Sequence, residues 1–258
     1  MKNLEKLIKT VEILRSENGC KWDREQTHAT IKTNMLEEAY EAVDAINSGD
    51  SKHLKEELGD VLLQVVLHSQ IAKDNGDFDI EDVAKEIDEK LIRRHPHVFA
   101  DTDVENVDEI LTNWEKIKGV EKPHRTSVLD GISKAQSALM SAQKISKKAV
   151  KVGFEWQNLE QLQECIDSEF EEFKTAKNQE EREEEFGDIL FALVNFARWH
   201  GLDAEQALIK SNQKFIRRFK KMEELVPSAH PQKKLEELTF DEWEQLWAKA
   251  KTTIDNSD

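Results

Sequence analysis

Apolar residues recur every three or four positions over most of this chain, the spacing that places them on one face of an α-helix. In the first such segment, Leu4, Leu7 and Val11 share a face. The pattern predicts helices over residues 3–17, 28–47, 51–75, 80–94 and 106–118, and then over 131–150, 158–177, 179–200, 204–225 and 239–251. Only nine glycines and four prolines interrupt the 258 residues. The predicted fold class is therefore all-α.

The segment 51–75 combines an apolar pattern with carboxylates. Its centre, LGDVLLQVVL, is apolar nearly all round, so this helix is expected to be buried. It nevertheless carries Glu57 and Asp60, and the preceding helix carries Glu38 and Glu41, both pairs at i, i+3 spacing and about 60° apart on one stripe. A carboxylate buried without a partner costs several kcal/mol or becomes protonated. These two facing pairs are therefore predicted to hold a cation.

The second half of the chain repeats the motifs of the first in the same order. The matching blocks are 56–76 with 184–201 (EELGD and EEFGD), 88–94 with 212–218 (DEKLIRR and NQKFIRR), and 107–118 with 240–251. Three blocks in one order indicate duplication, so we predict domains over 1–118 and 131–258, joined by a linker over 119–130. The second acidic set is Glu169, Glu172, Glu185 and Asp188.

The residue types in the acidic sets restrict the choice of cation. Carboxylates alone favour a hard divalent ion, which is Mg²⁺ with Mn²⁺ as the alternative. A di-iron bundle requires E-x-x-H, and zinc requires a His/Cys cluster; neither E-x-x-D motif contains a histidine. In so acidic a chain, a pair of glutamates more often lies on a solvated helix face. The repetition of the pair within two apolar helices favours a metal site instead.

A basic K-x-x-R-R segment and then a W-x-x-x-K segment follow each acidic pair of helices. Basic residues at a helix end also complement the helix dipole, and a tryptophan in an amphipathic helix is more often core. Beside magnesium, however, Lys and Arg are the usual groups that hold a polyphosphate, and a tryptophan can stack a base. The candidate substrate-binding residues are Lys90, Arg94, Trp114 and Lys118, and their counterparts Lys214, Arg218, Trp247 and Lys251.

Charge and composition exclude several classes of partner. A formal net charge of −16 opposes binding to nucleic acid. No apolar run reaches about 18 residues, so we expect no membrane-spanning helix. Cys20 and Cys165 are too few for a disulfide framework, and the amphipathic start of the chain lacks an apolar signal core. A cytoplasmic protein is expected.

The motifs LEEAYE and EELGD, with RRHPHVF and NWEKIK downstream, resemble the MazG family of nucleoside triphosphate pyrophosphohydrolases in its tandem two-domain form. The resemblance implies two all-α domains, helix bundles completed by homodimerisation, and Mg²⁺-dependent hydrolysis of nucleoside triphosphates to the monophosphate and pyrophosphate. In the family motif E-E-x-x-E, Ser168 replaces the first glutamate of the second copy. Its counterpart Glu37 points away from the shared stripe, so the second metal quartet is expected to be intact.

The resemblance also implies a nucleotide site in the C-terminal half, where tandem members tend to place their activity, although the N-terminal set is equally complete. Lys214 and Arg218 would bind phosphates, with Trp247 and Lys251 closing over the nucleotide. The pocket would be lined by Glu181, Arg182, Glu183 and Glu184, and Glu184 or Glu56 would orient the attacking water. Two alternatives stay open: a non-catalytic nucleotide-binding or regulatory scaffold, and an all-α hydrolase restricted to one nucleotide.

Overall fold

Both halves of the chain are helical in the computed structural model, which describes residues 2–100, 102–121 and 126–255. The first unit, Met1–Lys122, contains α1 (Lys2–Arg15), α2 (Lys21–Glu25), α3 (His28–Ser48), α4 (Ser51–Asn75), α5 (Ile80–Arg94), α6 (Pro96–Phe99) and α7 (Val107–Glu121). The second, Pro123–Asp258, contains α8 (Ala138–Val150), α9 (Leu159–Thr175), α10 (Gln179–Trp199), α11 (Ala204–Ala229), a 3₁₀ turn (Leu235–Glu237) and α12 (Phe240–Asp255). These ranges hold no strand, which confirms the all-α prediction. None of their helices is long and apolar enough to cross a membrane.

A hairpin of α3 and α4 forms the centre of the first unit. Thr27 is the N-cap of α3 and forms a capping box. Gly49 is the C-cap, in the left-handed conformation with φ 71°. Asp50 then caps α4 by accepting hydrogen bonds from the backbone N–H groups of Lys52 and His53. The hairpin packs on α1 around a core of Val11, Ile31, Val66, Leu67 and Ile71.

The second unit repeats this hairpin with α9 and α10. Asn158 and Asn178 cap the two helices through their side-chain oxygens. The hairpin closes over Leu162, Ile166 and Ala192, while α11 and α12 pack together around a separate cluster. That cluster contains Met222, Val226, Leu238, Leu246 and Ala250.

Helix ends differ from the prediction at both sides of the linker. Helix α7 continues to Glu121 rather than ending at residue 118, because that carboxylate is bonded to two arginines at the end of α5. Residues 122–125 of the predicted linker lie outside the described residues. Helix α8 begins at Ala138 rather than at 131, because Gly131 has a φ of 80° and the Ser137 hydroxyl caps the helix start.

The helix α4 is not buried all round, contrary to its apolar pattern. Leu58 is 53% exposed and Leu62 is 40% exposed, because α1, α3 and α5 pack only on its other sides. The equivalent face of α10 leaves Phe186 and Leu190 exposed. Each hairpin therefore presents an uncovered apolar face.

Candidate metal centre and nucleotide site

Three carboxylates converge between α3 and α4. Glu38, Glu41 and Glu57 each place a carboxylate oxygen within 4.8 Å of the other two. Glu57 is only 8% exposed, and its Oε1 lies 3.0 Å from Nε2 of His53. Gln64 donates a 3.5 Å hydrogen bond from Nε2 to Oε1 of Glu38. The acidic pairs predicted on neighbouring helices thus face each other at the distance that one shared cation requires.

The same arrangement recurs between α9 and α10. Glu169, Glu172 and Glu185 bring their oxygens within 4.8 Å of one another. Ser168, which departs from the family motif, donates a 2.9 Å hydrogen bond from its hydroxyl to Oε1 of Glu172. Sγ of Cys165 lies 3.8 Å from Oε1 of Glu169. The substitution by serine therefore leaves the cluster assembled and supports one of its members.

Mutual repulsion marks both clusters. Burial raises the pKa of Glu38, and the neighbouring charges, led by Asp60, raise it further. Burial also raises the pKa of Glu169, and the negative charge of Asp188 raises it further. The pKa of Glu185 is raised by burial and then by the other carboxylates of its cluster. Asp60 and Asp188 lie outside the groups of mutually close oxygens. They are near enough for their charges to raise the pKa of the clustered glutamates.

The donor atoms present suit a hard divalent cation. Carboxylate oxygens are the ligands that Mg²⁺ and Mn²⁺ prefer, and a cation would relieve the repulsion that raises these pKa values. A sulfur lies beside the second cluster in the thiol of Cys165, whose pKa is raised by burial and by Glu169. A protonated thiol is a poor metal ligand. The residues therefore fit the predicted magnesium.

The N-terminal substrate-binding residues are engaged with one another. The ring of Trp114 lies 5.0 Å below the Arg94 guanidinium and 4.6 Å from the Lys118 ammonium. Arg94 is also bonded to the Glu121 carboxylate, and Lys90 pairs at 3.3 Å with the glutamate one turn earlier on α5. Sequence reasoning missed Glu121, because 27 residues separate it from Arg94 and no local spacing links the two.

The C-terminal counterparts have different neighbours. Trp247 packs against Phe215, with ring centroids 5.2 Å apart, at the edge of the α11–α12 core cluster. Lys214 and Lys251 are exposed, and Arg218 is partly buried. Trp247 therefore has a core-facing side, while Lys214 and Lys251 are open to solvent.

The residues predicted to line the pocket lie on the first turns of α10. Glu181 accepts hydrogen bonds from the Lys177 backbone at 2.7 Å and from the Asn178 side chain at 2.9 Å, so it helps to cap the helix. Arg182, Glu183 and Glu184 are exposed. Glu184 contributes to the raised pKa of Glu185 and so lies beside the cluster, while Glu56 is an exposed neighbour of Glu57.

Each unit contains a helical hairpin with clustered carboxylates, followed by a helix that carries a K-x-x-R-R segment, and this arrangement fits the class of all-α nucleotide pyrophosphohydrolases. The family model of the MazG nucleotide pyrophosphohydrolase domain matches this chain twice, over residues 26–99 and 157–222. The chain therefore belongs to the MazG family. Both copies contain one acidic hairpin, which confirms the predicted tandem arrangement.

Relatives align over nearly the whole chain. A nucleoside triphosphate pyrophosphohydrolase/pyrophosphatase MazG from Thermotoga maritima is 47% identical over 248 residues, which cover 96% of this chain and 95% of the relative. A nucleoside triphosphate pyrophosphohydrolase from Escherichia coli K12 is 47% identical over 88% of this chain and 89% of its own length. The Bacillus subtilis protein YabN is 46% identical over 93% of this chain and 50% of its own length.

Proposed function

We propose that this protein hydrolyses nucleoside triphosphates, both ribo- and deoxyribonucleotides, to the monophosphate and pyrophosphate in a Mg²⁺-dependent reaction. The observation that carries the proposal is the carboxylate cluster within 4.8 Å in each unit, where burial and repulsion raise glutamate pKa values. Two relatives that align over most of the chain bear the name of this activity.

The clustered carboxylates would hold the cation. In the second unit these ligands are Glu169, Glu172 and Glu185, with Asp188 beside them. Bound Mg²⁺ polarises a phosphate and lowers the pKa of a bound water. In the first unit the corresponding residues are Glu38, Glu41, Glu57 and Asp60.

The other side chains would orient the water and stabilise the leaving group. Glu184, exposed beside the cluster, accepts a proton from the water that attacks the α–β phosphoanhydride, and Glu56 has the same place in the first unit. One P–O bond to the water oxygen forms as the α–β bridge breaks. Lys214 and Arg218 neutralise the charge that develops on pyrophosphate. Trp247 and Lys251 hold the nucleotide above them, together with the first turns of α10.

Turnover is assigned to the second unit. In the first unit Arg94, Trp114 and Lys118 contact one another, and Arg94 is bonded to Glu121. A triphosphate would have to displace these contacts before it could bind there. In the second unit Trp247 packs against Phe215 instead.

The exposed faces of the hairpins support a homodimer. Leu58 and Leu62 on α4 and Phe186 and Leu190 on α10 are each at least 40% exposed in one chain. Monomeric proteins rarely leave large contiguous apolar patches in water. A second copy of the chain would cover these faces and complete the helix bundles.

Product analysis with a panel of nucleotides tests the proposal. The protein is incubated with each ribo- and deoxyribonucleoside triphosphate and Mg²⁺, Mn²⁺ or EDTA, and the products are separated. We expect monophosphate and pyrophosphate from several nucleotides and no reaction in EDTA. Release of diphosphate and orthophosphate would contradict the reaction. Binding of α,β-methylene-ATP without turnover of any triphosphate would indicate a scaffold, and turnover of a single nucleotide would indicate a restricted hydrolase.

A further inference from the structure

One glutamate at the end of α7 occupies the arginine pair at the end of α5. Oε1 of Glu121 accepts a 2.6 Å hydrogen bond from Nε of Arg93. Oε2 accepts bonds from Nε of Arg94 at 3.1 Å and from Nη2 at 2.5 Å. The side chains of Glu121 and Arg94 are only 15% and 11% exposed. The carboxylate is thus held by both guanidinium groups and shielded from water on most sides.

This carboxylate stays charged at any working pH. Hydrogen bonds from Arg94 and then Arg93 lower the pKa of Glu121 to about 2. The face of Trp114 lies against Arg94 and Lys118, the two cations that would otherwise be available to a ligand. The phosphate-binding and base-stacking groups of the first unit therefore already have partners within their own chain.

The second unit has a different residue at the matching position. Extending the match of 107–118 with 240–251 by three residues places Ile254 opposite Glu121. Trp247, the counterpart of Trp114, packs against Phe215 with ring centroids 5.2 Å apart. The two units therefore differ at the position of Glu121 and in the neighbours of the tryptophan.

We propose that Glu121 is an internal competitor for the phosphates of a nucleotide at the first unit's basic residues. The inference rests on the proposed function, since it concerns the same basic clamp. A carboxylate and a phosphate offer a guanidinium the same bidentate acceptor geometry. A tethered acceptor competes as if present at about millimolar concentration. The first unit binds triphosphate only in the fraction of molecules in which Glu121 has swung away.

The test measures binding rather than turnover, in the full chain. α,β-Methylene-ATP with Mg²⁺ is titrated into the wild type and into Glu121→Gln, which keeps the shape of the side chain and removes its charge. The control Glu89→Gln removes the same charge from α5, where Glu89 lies 4.0 Å from Lys85. We expect Glu121→Gln to tighten a class of sites about tenfold or more. Addition of Arg94→Ala should abolish this gain.

A larger truncation provides a second test. Glu121→Ala removes the whole carboxylate, and Glu89→Ala is its matched control on α5. We expect Glu121→Ala to tighten the same class of sites about tenfold or more, because both guanidinium groups then become available to the phosphates. This variant also decides the question if circular dichroism shows that Glu121→Gln does not fold.

Three results would overturn the proposal. They are an isotherm for Glu121→Gln equal to that of Glu89→Gln, a gain that persists with Arg94→Ala, and an isotherm for Glu121→Ala equal to that of Glu89→Ala. Absence of turnover in the wild type would instead contradict the proposed function, and the titrations with the analogue would still test the role of Glu121.

Discussion

Glu38, Glu169 and Glu185 have raised pKa values, so their charged forms are disfavoured where the fold places them. For an acid, a folded pKa above the unfolded value means that its contribution to stability is fully present below the unfolded pKa and is lost as pH rises through the folded pKa. A bound cation reverses this loss, because it stabilises the charged form. The spacing of the acids in the sequence predicted the three carboxylates that converge in each unit, since i, i+3 pairs on adjacent helices share a stripe, whereas Asp60 and Asp188 lie outside these groups.

Magnesium should therefore stabilise the protein more strongly at neutral than at acid pH. At about 100 times its dissociation constant, Mg²⁺ should add about 2.7 kcal/mol to the free energy of unfolding at pH 7.5. The gain should shrink at pH 5, where protons compete for the same oxygens. Thermal denaturation with Mg²⁺ or EDTA at both pH values measures this. An equal shift at both pH values would contradict carboxylate binding.

A histidine pair predicts a second pH dependence, unrelated to the metal. Nδ1 of His28 lies 2.8 Å from Nδ1 of His68, so only one proton fits between them. Burial lowers the pKa of His68, and the electrostatic interaction with His28 lowers it further. A folded pKa below the unfolded value of about 6.5 means that this contribution to stability is present above that value and is lost as pH falls below it.

The second unit indicates how to remove this dependence. In the repeat, His28 and His68 correspond to Leu159 and Phe196, which pack against an apolar cluster. The double variant His28→Leu with His68→Phe should lose less stability than the wild type between pH 7.5 and pH 5.5. Urea unfolding at several pH values measures the difference. Parallel pH curves for the two proteins would show that the pair does not titrate on unfolding.

At the scale of helices, the apolar periodicity predicted the central parts of the hairpin helices. The ends of α7 and α8 depend on contacts between distant residues, which periodicity does not reveal. Helix α8 starts late because the Lys148 ammonium donates to the carbonyls of Val128 and Asp130, which holds the preceding segment as a turn. Helix α7 ends late because of Glu121. Both contacts join residues far apart in the sequence, so local patterns could not reveal them.

The glycine in the middle of α10 gives an element-scale prediction. A Cβ built on Gly187 meets nothing within 4 Å in the described part of the chain. Gly187→Ala should therefore raise the free energy of unfolding by about 0.5–1 kcal/mol through helix propensity alone. Denaturant unfolding of the two proteins measures it. A loss of stability would mean that a partner helix packs closely on this position.

At the scale of the whole molecule, three repeated blocks predicted the duplication, and two family-model matches confirm it. The sequence also predicted an apolar α4, but only the structure shows which side is uncovered. In the proposed homodimer a second chain would cover this exposed side, and the apolar pattern would then reflect assembly rather than the fold of one chain.

We expect the protein to form a homodimer that a single charge introduced into the interface weakens. Light scattering on the eluting protein should give twice the mass of the chain. Leu62→Lys on the exposed face of α4 should shift the population towards monomer, because it places an ammonium in an apolar interface. The control Val107→Lys changes a residue that is 68% exposed at the start of α7 and should leave the dimer intact. A monomeric wild type would contradict this assignment.

Hydrolysis is assigned in this proposal to the carboxylate cluster of the second unit. Its most direct test is the rate of pyrophosphate release from a triphosphate with Mg²⁺ by the wild type, by Glu172→Gln with Asp188→Asn, and by the matched first-unit pair Glu41→Gln with Asp60→Asn. We predict a loss of about 100-fold or more for the second-unit variant, since removing metal ligands forfeits several kcal/mol of transition-state stabilisation. The first-unit variant should retain most of the rate. Full pyrophosphate release by a folded Glu172→Gln with Asp188→Asn variant would contradict the account.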